Sequence, residues 1–132
     1  MIAIKLLSIR PQKEWKAVVF CFALSAVVLL FCTKSSFLYP LNDWNDSNCF
    51  FTVGKGMMQG RVPYQDLFEQ KGPLLYFIHG IASWISFDSF LGVFFFEILS
   101  FGMFLWFSYR TIRLFAGKAY AYVLLPVLTF AV

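Results

Sequence analysis

Charged residues are scarce in this sequence: they make up 14% of its 132 residues, whereas hydrophobic residues make up 60%. Soluble domains contain about 25% charged and roughly 45–50% apolar residues. A chain of this length cannot hide 18 phenylalanines in an aqueous core. The shortage of charge therefore excludes an ordinary soluble domain and predicts an all-α integral membrane protein, with the lipid bilayer as solvent for much of its surface.

Motifs of several common site types are also missing. The three cysteines and one histidine form no C-x-x-C or other zinc-ligand spacing. The sequence has no phosphate-cradling glycine-rich loop, no H-E-x-x-H and no G-x-S-x-G. Its basic residues are split between two hydrophobic flanks, which argues against a nucleic-acid partner. No cofactor is indicated, and a need for a divalent metal is left open.

The distribution of charge predicts a topology. Lys5, Arg10, Lys13 and Lys16 precede the first apolar run, and Arg110, Arg113 and Lys118 follow a later one. Residues 34–88 carry a balanced mixture of acids and bases. Because basic residues flank membrane spans on the cytoplasmic side, both clusters and the N-terminus are predicted to be cytoplasmic. The sequence thus predicts a multi-pass protein of the cell membrane with loop 34–88 on the outer face.

Three apolar runs are candidate transmembrane helices. Residues 17–33 form the first, and residues 89–109 form the second. Residues 119–132 begin a third, which stops short of the ~20 residues that a span needs. This short run predicts that the chain is the N-terminal portion of a longer protein.

The outer loop contains two further helical patterns. Residues 47–59 present a Phe/Met face and a polar back, with Asp46 or Ser47 as the expected N-cap and Gly60 as the terminator. Residues 73–87 could either span the membrane or lie in its interface. A span there would move the second basic cluster outside, so the interfacial interpretation is favoured.

Polar residues beside the membrane are the candidate functional groups, and each has an ordinary structural alternative. Asp46 could be only an N-cap, and Asp66 and Glu69 could be solvated turn residues. Lys71 could be a snorkelling anchor. Glu97, inside the second span, is more readily explained by a packing role.

One segment resembles a known family. "DSNCFFTVGKGM" has an acid at Asp46, an aromatic at Phe50, a small residue at Gly54 and a methionine at Met57. It is similar to the first outer loop of the GT-C class of membrane glycosyltransferases. The following "GRVPYQDLFEQKGPLLYF" resembles the bacterial branch of protein mannosyltransferases and lipid A aminoarabinose transferases, in which P-Y-x-D and K-[GP]-P segments follow. The resemblance covers residues 43–77 in motif and about 15–115 in layout.

The resemblance implies a GT-C-like fold with juxtamembrane helices in the first outer loop. It implies an inverting glycosyltransferase of hexosyltransferase type, with a polyprenyl-phosphate-linked sugar donor and an unidentified acceptor on the outer face. Asp46 matches the catalytic base and Lys71 the lysine that meets the donor phosphate. Arg61 and Asp66 are weaker candidates for ordering the loop or contacting substrate. Many relatives have glutamate where Ser47 stands, which puts a second carboxylate or a metal role here in doubt.

The alternative is a non-catalytic small membrane protein. The short last run and Glu97 fit a truncated remnant, or an accessory subunit that packs against a membrane partner protein. The 132-residue chain lacks most of the cavity that a transferase of this class uses, so alone it is expected to be inactive.

Overall fold

The computed structural model describes residues 14–68 and 70–129. Within these ranges the chain forms five helices and an isolated bridge between Pro63 and Leu67. The predicted all-α fold is therefore confirmed for this part of the chain. The helices are α1 (Trp15–Cys32), α2 (Asn45–Met58), α3 (Pro73–Ile85), α4 (Leu91–Phe115) and α5 (Lys118–Thr129).

Helices α1 and α4, with 18 and 25 residues, are long and apolar enough to cross a membrane. This supports the predicted membrane association. The fourth helix begins at Leu91 and runs to Phe115, six residues beyond the predicted end of the second span at residue 109. It continues because residues 110–115 contain no helix breaker; Gly117 is the first. Helices α3 and α5 have 13 and 12 residues.

The described chain divides into two compact units, and the first contains residues 14–28 and 98–129. In it α1 and α4 run antiparallel: Arg113 donates to Glu14 at one end, and Ser25 Oγ donates to the Ile98 carbonyl at 3.0 Å near the other. Helix α5 completes the core. The buried core residues are Ala17, Cys21, Leu105, Tyr109, Ala121 and Leu125.

The Glu14–Arg113 ion pair joins the two basic flanks of this unit. The side chains are only 11% and 24% exposed, and the Arg113 guanidinium also lies over the Tyr109 ring. The pair fixes the start of α1 beside the last turns of α4, so Lys16 and Arg113 belong to the same end of the helix pair. Lys5, Arg10 and Lys13 lie outside the described residues.

The second unit contains residues 29–97, with α2 packed closely on α3. The two helices approach at glycines: a Cβ added at Gly54 would lie 2.5 Å from the Gly80 nitrogen. Beside this crossing, Phe51 is buried against Ala82 and Val93. Close approach of two backbones requires residues without side chains, which is why α2 has a glycine in its middle despite the cost to helix propensity.

The ends of α2 partly correct the prediction. The helix begins at Asn45, its N-cap is Trp44, and no side chain caps it, so the expected capping role of Asp46 or Ser47 is wrong. Asn48 stabilises this start by donating to the Asn42 and Trp44 carbonyls at 2.8 and 3.0 Å. At the other end Gly60 has φ +87°, so the predicted glycine terminator is confirmed.

Candidate functional site

The P-Y-x-D segment, residues 63–66, forms a tight, hydrogen-bonded turn. Tyr64 adopts a left-handed conformation with φ +68°, which is uncommon for a residue with a side chain. Its backbone N–H donates to the Leu67 carbonyl at 2.8 Å. The Asp66 carboxylate accepts from the Val62 N–H at 2.8 Å. The Asp66 carboxylate thus closes the turn by binding the backbone of Val62.

Two tyrosines hold the backbone of Lys71. The Tyr64 hydroxyl donates to the Lys71 carbonyl. From the other side, the Lys71 N–H donates to the Tyr76 hydroxyl at 2.7 Å. Tyr76 is completely buried, whereas Lys71 is exposed. We call this arrangement of Tyr64, Lys71 and Tyr76 the tyrosine clamp; it joins the P-Y-x-D turn to the K-G-P segment.

The K-G-P segment also starts helix α3. Gly72 is the N-cap and Pro73 is the first helical residue. Proline suits this position because its ring presets φ and because the first N–H of a helix has no intrahelical partner. The clamp and the proline together fix the backbone on both sides of Gly72. The exposed Lys71 side chain is therefore attached to an ordered backbone.

Asp46 is the second residue of α2 and is exposed. No hydrogen bond or ion pair from residues 14–68 or 70–129 reaches its carboxylate. The first turn of a helix favours negative charge, because its unpaired N–H groups carry partial positive charge. Asp46 is therefore an accessible carboxylate in the first turn of a helix.

The spacing of Asp46, Phe50 and Gly54 follows from the packing of α2 on α3. Residues four apart lie on the same face of a helix. The Phe50 ring lies 6.2 Å from the Tyr76 ring and 5.8 Å from the His79 ring, measured between centroids. A Cβ at Gly54 would meet the Tyr76 carbonyl oxygen at 2.6 Å. The face of α2 that begins at Asp46 is the face that touches the buried tyrosine of the clamp.

Arg61 lies in the turn after α2. Its backbone N–H donates to the Gly56 carbonyl at 3.0 Å and so closes the end of the helix. Its side chain is exposed and makes no ion pair with the described residues. The structure thus links Asp66 and Lys71 in one ordered loop and connects α2 to it through Phe50, while no direct bond joins the Asp46 and Lys71 side chains. Glu69 lies outside the described residues.

A pocket of about 250 Å³ lies beside the start of α2, and we call it the Glu97 pocket. Glu97 Oε1 accepts from Ser35 Oγ at 3.1 Å, and Oε2 is buried without a hydrogen-bond partner among the described residues. Leaving a buried acceptor unpaired costs about 1–3 kcal/mol. The lining residues are Cys32, Thr33, Lys34, Ser35, Asn42, Trp44, Ser47 and Glu97.

Sequence reasoning missed this pocket and the tyrosine clamp. An acid within an apolar helix was the available signal for Glu97, since such residues are costly unless they have a function. Ser35 is 62 positions from Glu97, so their contact has no local signature. The clamp depends on the left-handed conformation of Tyr64, which no pattern in the sequence indicates.

An exposed ion pair borders the same pocket. Lys34 Nζ donates to both carboxylate oxygens of Asp43, at 2.6 and 2.7 Å. This hydrogen bond lowers the pKa of Asp43, because it stabilises the ionised carboxylate. The charge of Lys34 is therefore already matched.

The described residues contain no group of three or more His, Cys, Asp or Glu side chains that could hold a metal ion. Comparison with protein-family models, with curated proteins and with solved structures finds no match to this chain. The interpretation of the site therefore depends on its own geometry: an exposed carboxylate on α2, an exposed lysine on a clamped loop, and a pocket with an unpaired carboxylate oxygen.

Proposed function

We propose that the chain forms the first outer loop and flanking helices of a GT-C-like membrane glycosyltransferase. This enzyme transfers a sugar from a polyprenyl-phosphate donor to an acceptor hydroxyl on the outer face, with inversion. Asp46 is the general base, and Lys71 binds the donor phosphate. Asp66 orders the loop that carries Lys71, and Arg61 lies close to that loop in sequence.

The position of Tyr76 is the observation that carries this proposal. Its hydroxyl binds the Lys71 backbone, and its ring lies against Phe50, one helical turn after Asp46. A single buried side chain thus connects the two elements that bear the proposed base and the proposed phosphate ligand. The P-Y-x-D, K-G-P and D-x-x-x-F segments, which are separate in sequence, meet around it.

The chemistry requires one base and one cation. The acceptor oxygen attacks the anomeric carbon while the bond from that carbon to the phosphate oxygen breaks. The Asp46 carboxylate accepts the hydroxyl proton, an effect of about 10²–10⁴-fold in rate for a well-placed base. Lys71 stabilises the negative charge that grows on the leaving phosphate. Because the displacement is direct, no second carboxylate is needed as a nucleophile.

The packing of α1 and α4 supports the proposed topology. The two helices are antiparallel within the first unit, where Ser25 lies beside Ile98 near one end. The opposite end carries Lys16 and Arg113, which suits the cytoplasmic side.

The test introduces Asp46→Asn into the native gene and measures polyprenyl-phosphate-linked sugars by mass spectrometry. The donor should accumulate in cells with this variant, as in cells without the gene, while the protein still inserts. Asp88→Asn is the matched control, because Asp88 is an exposed aspartate of the same unit. Lys71→Ala should also cause accumulation, and Lys71→Arg should restore part of the activity because it keeps the charge.

Normal donor levels in the Asp46→Asn cells would refute the role of Asp46 as the base. If Asp46→Asn and Lys71→Ala were both tolerated, and a membrane protein co-purified with the chain, the non-catalytic accessory role would replace the enzyme proposal.

A further inference from the structure

The helices of the first unit meet around three aromatic rings. The Tyr122 ring lies 5.1 Å from the Phe20 ring and 5.4 Å from the Tyr109 ring, measured between centroids. Helix α5 follows α4 after two residues and turns back beside it, so it runs parallel to α1. Lys16 stands four residues before Phe20, and Lys118 stands four residues before Tyr122. Both lysines therefore lie about one helical turn beyond the rings, at the same end of the unit.

Two arginines in the last turns of α4 lie at this end and have different surroundings. The Arg113 guanidinium donates to Glu14 and lies over the Tyr109 ring. Arg110, which directly follows Tyr109, makes no hydrogen bond or ion pair with residues 14–68 or 70–129. Its Nε is buried, but the residue keeps exposed surface, so the tip of the guanidinium is the part that an anion can reach. Because arginine stays protonated in proteins, its positive charge is present and is not matched by the described residues.

The net charge of this end is positive. In residues 14–28 and 98–129 the bases are Lys16, Arg110, Arg113 and Lys118, and the acid is Glu14. Four bases against one acid leave three positive charges, because Glu14 is paired with Arg113. The remaining charges belong to Lys16, Arg110 and Lys118, and we call these three residues the basic end. Each of them carries only hydrogen-bond donors in its charged group, so their natural ligand is an anion.

The depth of the basic end in a membrane favours a lipid as the source of that anion. Helix α1 has 18 residues and is about 27 Å long, close to the ~30 Å of a hydrocarbon core, so its ends lie at the membrane boundary. Trp15 begins α1 and is 62% exposed, and Tyr120 in the first turn of α5 is 67% exposed. Exposed Trp and Tyr side chains are typical of the headgroup layer. The basic end therefore lies at the level of the lipid headgroups.

We propose that the basic end binds the phosphate group of an acidic phospholipid, with Arg110 as the main ligand and Lys16 and Lys118 as supporting charges. The headgroup of phosphatidylglycerol is negative and complements this end, whereas phosphatidylcholine carries its own cation. The guanidinium of arginine matches phosphate oxygens with two parallel N–H donors. The half-buried position of Arg110 restricts its side chain in advance, which lowers the cost of ordering it on binding. The proposal depends on α1 and α4 crossing a membrane, and it is independent of glycosyl transfer.

The test measures the binding of single lipids to the detergent-solubilised full chain by native mass spectrometry. Phosphatidylglycerol is compared with phosphatidylcholine of the same acyl chains, so that the two lipids differ only in the headgroup. We expect the first phosphatidylglycerol to bind at least about fivefold more tightly, which corresponds to one unpaired base beside a membrane surface. The preference should weaken as the concentration of ammonium acetate rises, because salt screens exposed charges.

Substitutions locate the lipid on the chain. Arg110→Gln should weaken phosphatidylglycerol binding by about fivefold and leave phosphatidylcholine binding unchanged, whereas Arg110→Lys should keep part of the preference because it keeps the charge. Lys118→Gln should also weaken binding, and it tests the site without disturbing the core, since Lys118 is exposed at the start of α5. Lys34→Gln is the matched control: it removes the same charge, but the Lys34 ammonium group is already bound by both oxygens of Asp43. Far-ultraviolet circular dichroism is used to select variants that keep the wild-type helix content.

The proposal is overturned if the two lipids bind equally, or if either Arg110→Gln or Lys118→Gln binds phosphatidylglycerol as tightly as the wild type. Ammonium phosphate, compared with ammonium acetate of equal ionic strength, separates a lipid from a soluble anion. Displacement of the lipid by low-millimolar phosphate, at a strength where acetate has no effect, would overturn the lipid assignment in favour of a soluble anion. None of these measurements involves sugar transfer, so a failure here is distinct from a failure of the glycosyltransferase proposal.

Discussion

Gly54→Ala should destabilise the second unit, because it places a methyl group where α2 crosses α3. The added Cβ would lie 2.5 Å from the Gly80 nitrogen and 2.6 Å from the Tyr76 oxygen. Both atoms belong to the backbone of α3, so the clash cannot be relieved by a change of side-chain rotamer. To restore an ordinary contact of 3.4 Å with Gly80, the helices would have to separate by about 0.9 Å.

The expected magnitude is the difference between two effects. Forcing an extra methyl group into a packed interface costs about 1–3 kcal/mol. Replacing glycine by alanine within a helix returns about 1 kcal/mol through better helix propensity. Because the clash is with backbone atoms, the steric cost should lie in the upper part of its range. We expect a net loss of about 1–2 kcal/mol in the free energy of unfolding.

The assay is unfolding of the chain in mixed micelles by increasing amounts of denaturing detergent, followed by circular dichroism. Gly72→Ala is the matched control, since nothing lies within 4 Å of an added Cβ there and its φ of −71° suits alanine. The control should change the free energy of unfolding by less than about 1 kcal/mol, because the reduced freedom of the unfolded chain opposes the preference for glycine at an N-cap. If Gly54→Ala were as stable as Gly72→Ala, the close crossing of α2 and α3 would be refuted.

Three further predictions concern other parts of the chain. Glu14→Gln should lower the free energy of unfolding by about 2 kcal/mol in the same assay. This is less than the ~3–5 kcal/mol lost when a fully buried pair is broken, because Arg113 is 24% exposed. An unchanged unfolding midpoint would contradict this expectation. Gly60→Ala should cost about 1 kcal/mol, because alanine is strained at the φ of +87°, and wild-type stability would be evidence against that conformation. The hydrogen bond from Lys34 lowers the pKa of Asp43 in the folded state. The stability that this bond contributes is therefore present above the unfolded pKa of about 3.8 and is lost as the pH falls below that value. NMR titration should show a higher Asp43 pKa in Lys34→Met, and an unchanged pKa would refute the pairing.

The apolar runs were sufficient to predict α1 and α4, because a long, mainly apolar stretch specifies a helix in lipid without help from distant residues. The role of Gly60 as the terminator of α2 was equally predictable, because a helix that ends in the left-handed conformation favours glycine. The start of α2 was not. Aspartate and serine are good N-caps in general, but Asn42 and Asn48 fix the chain around Trp44 and move the start of the helix to Asn45. Local propensity was overridden here by a hydrogen-bonded turn that lies before the helix.

The candidate site was predicted as separate residues, and its organisation could not be predicted. Asp66 and Lys71 were identified by their type and position. The residues that order the loop around Lys71, however, are tyrosines, and no sequence pattern indicates which groups they bind. Tyr64 reaches Lys71 only because its backbone is left-handed, and Tyr76 reaches it only because α3 begins at Pro73. These contacts depend on exact backbone angles over a dozen residues, which composition and periodicity do not determine.

The spacing of the motif residues follows from the same packing. A glycine eight residues after Asp46 lets α2 lie against the backbone of α3, and an aromatic four residues after Asp46 then falls on Tyr76. Tyr76 is fully buried and so cannot satisfy its hydroxyl with water; it binds the Lys71 N–H instead. The position of the Lys71 backbone is thus a consequence of the burial of Tyr76, which in turn requires the small residue at Gly54. These spacings specify one helix crossing. The carboxylate of Asp46 and the ammonium group of Lys71 are both exposed beside it.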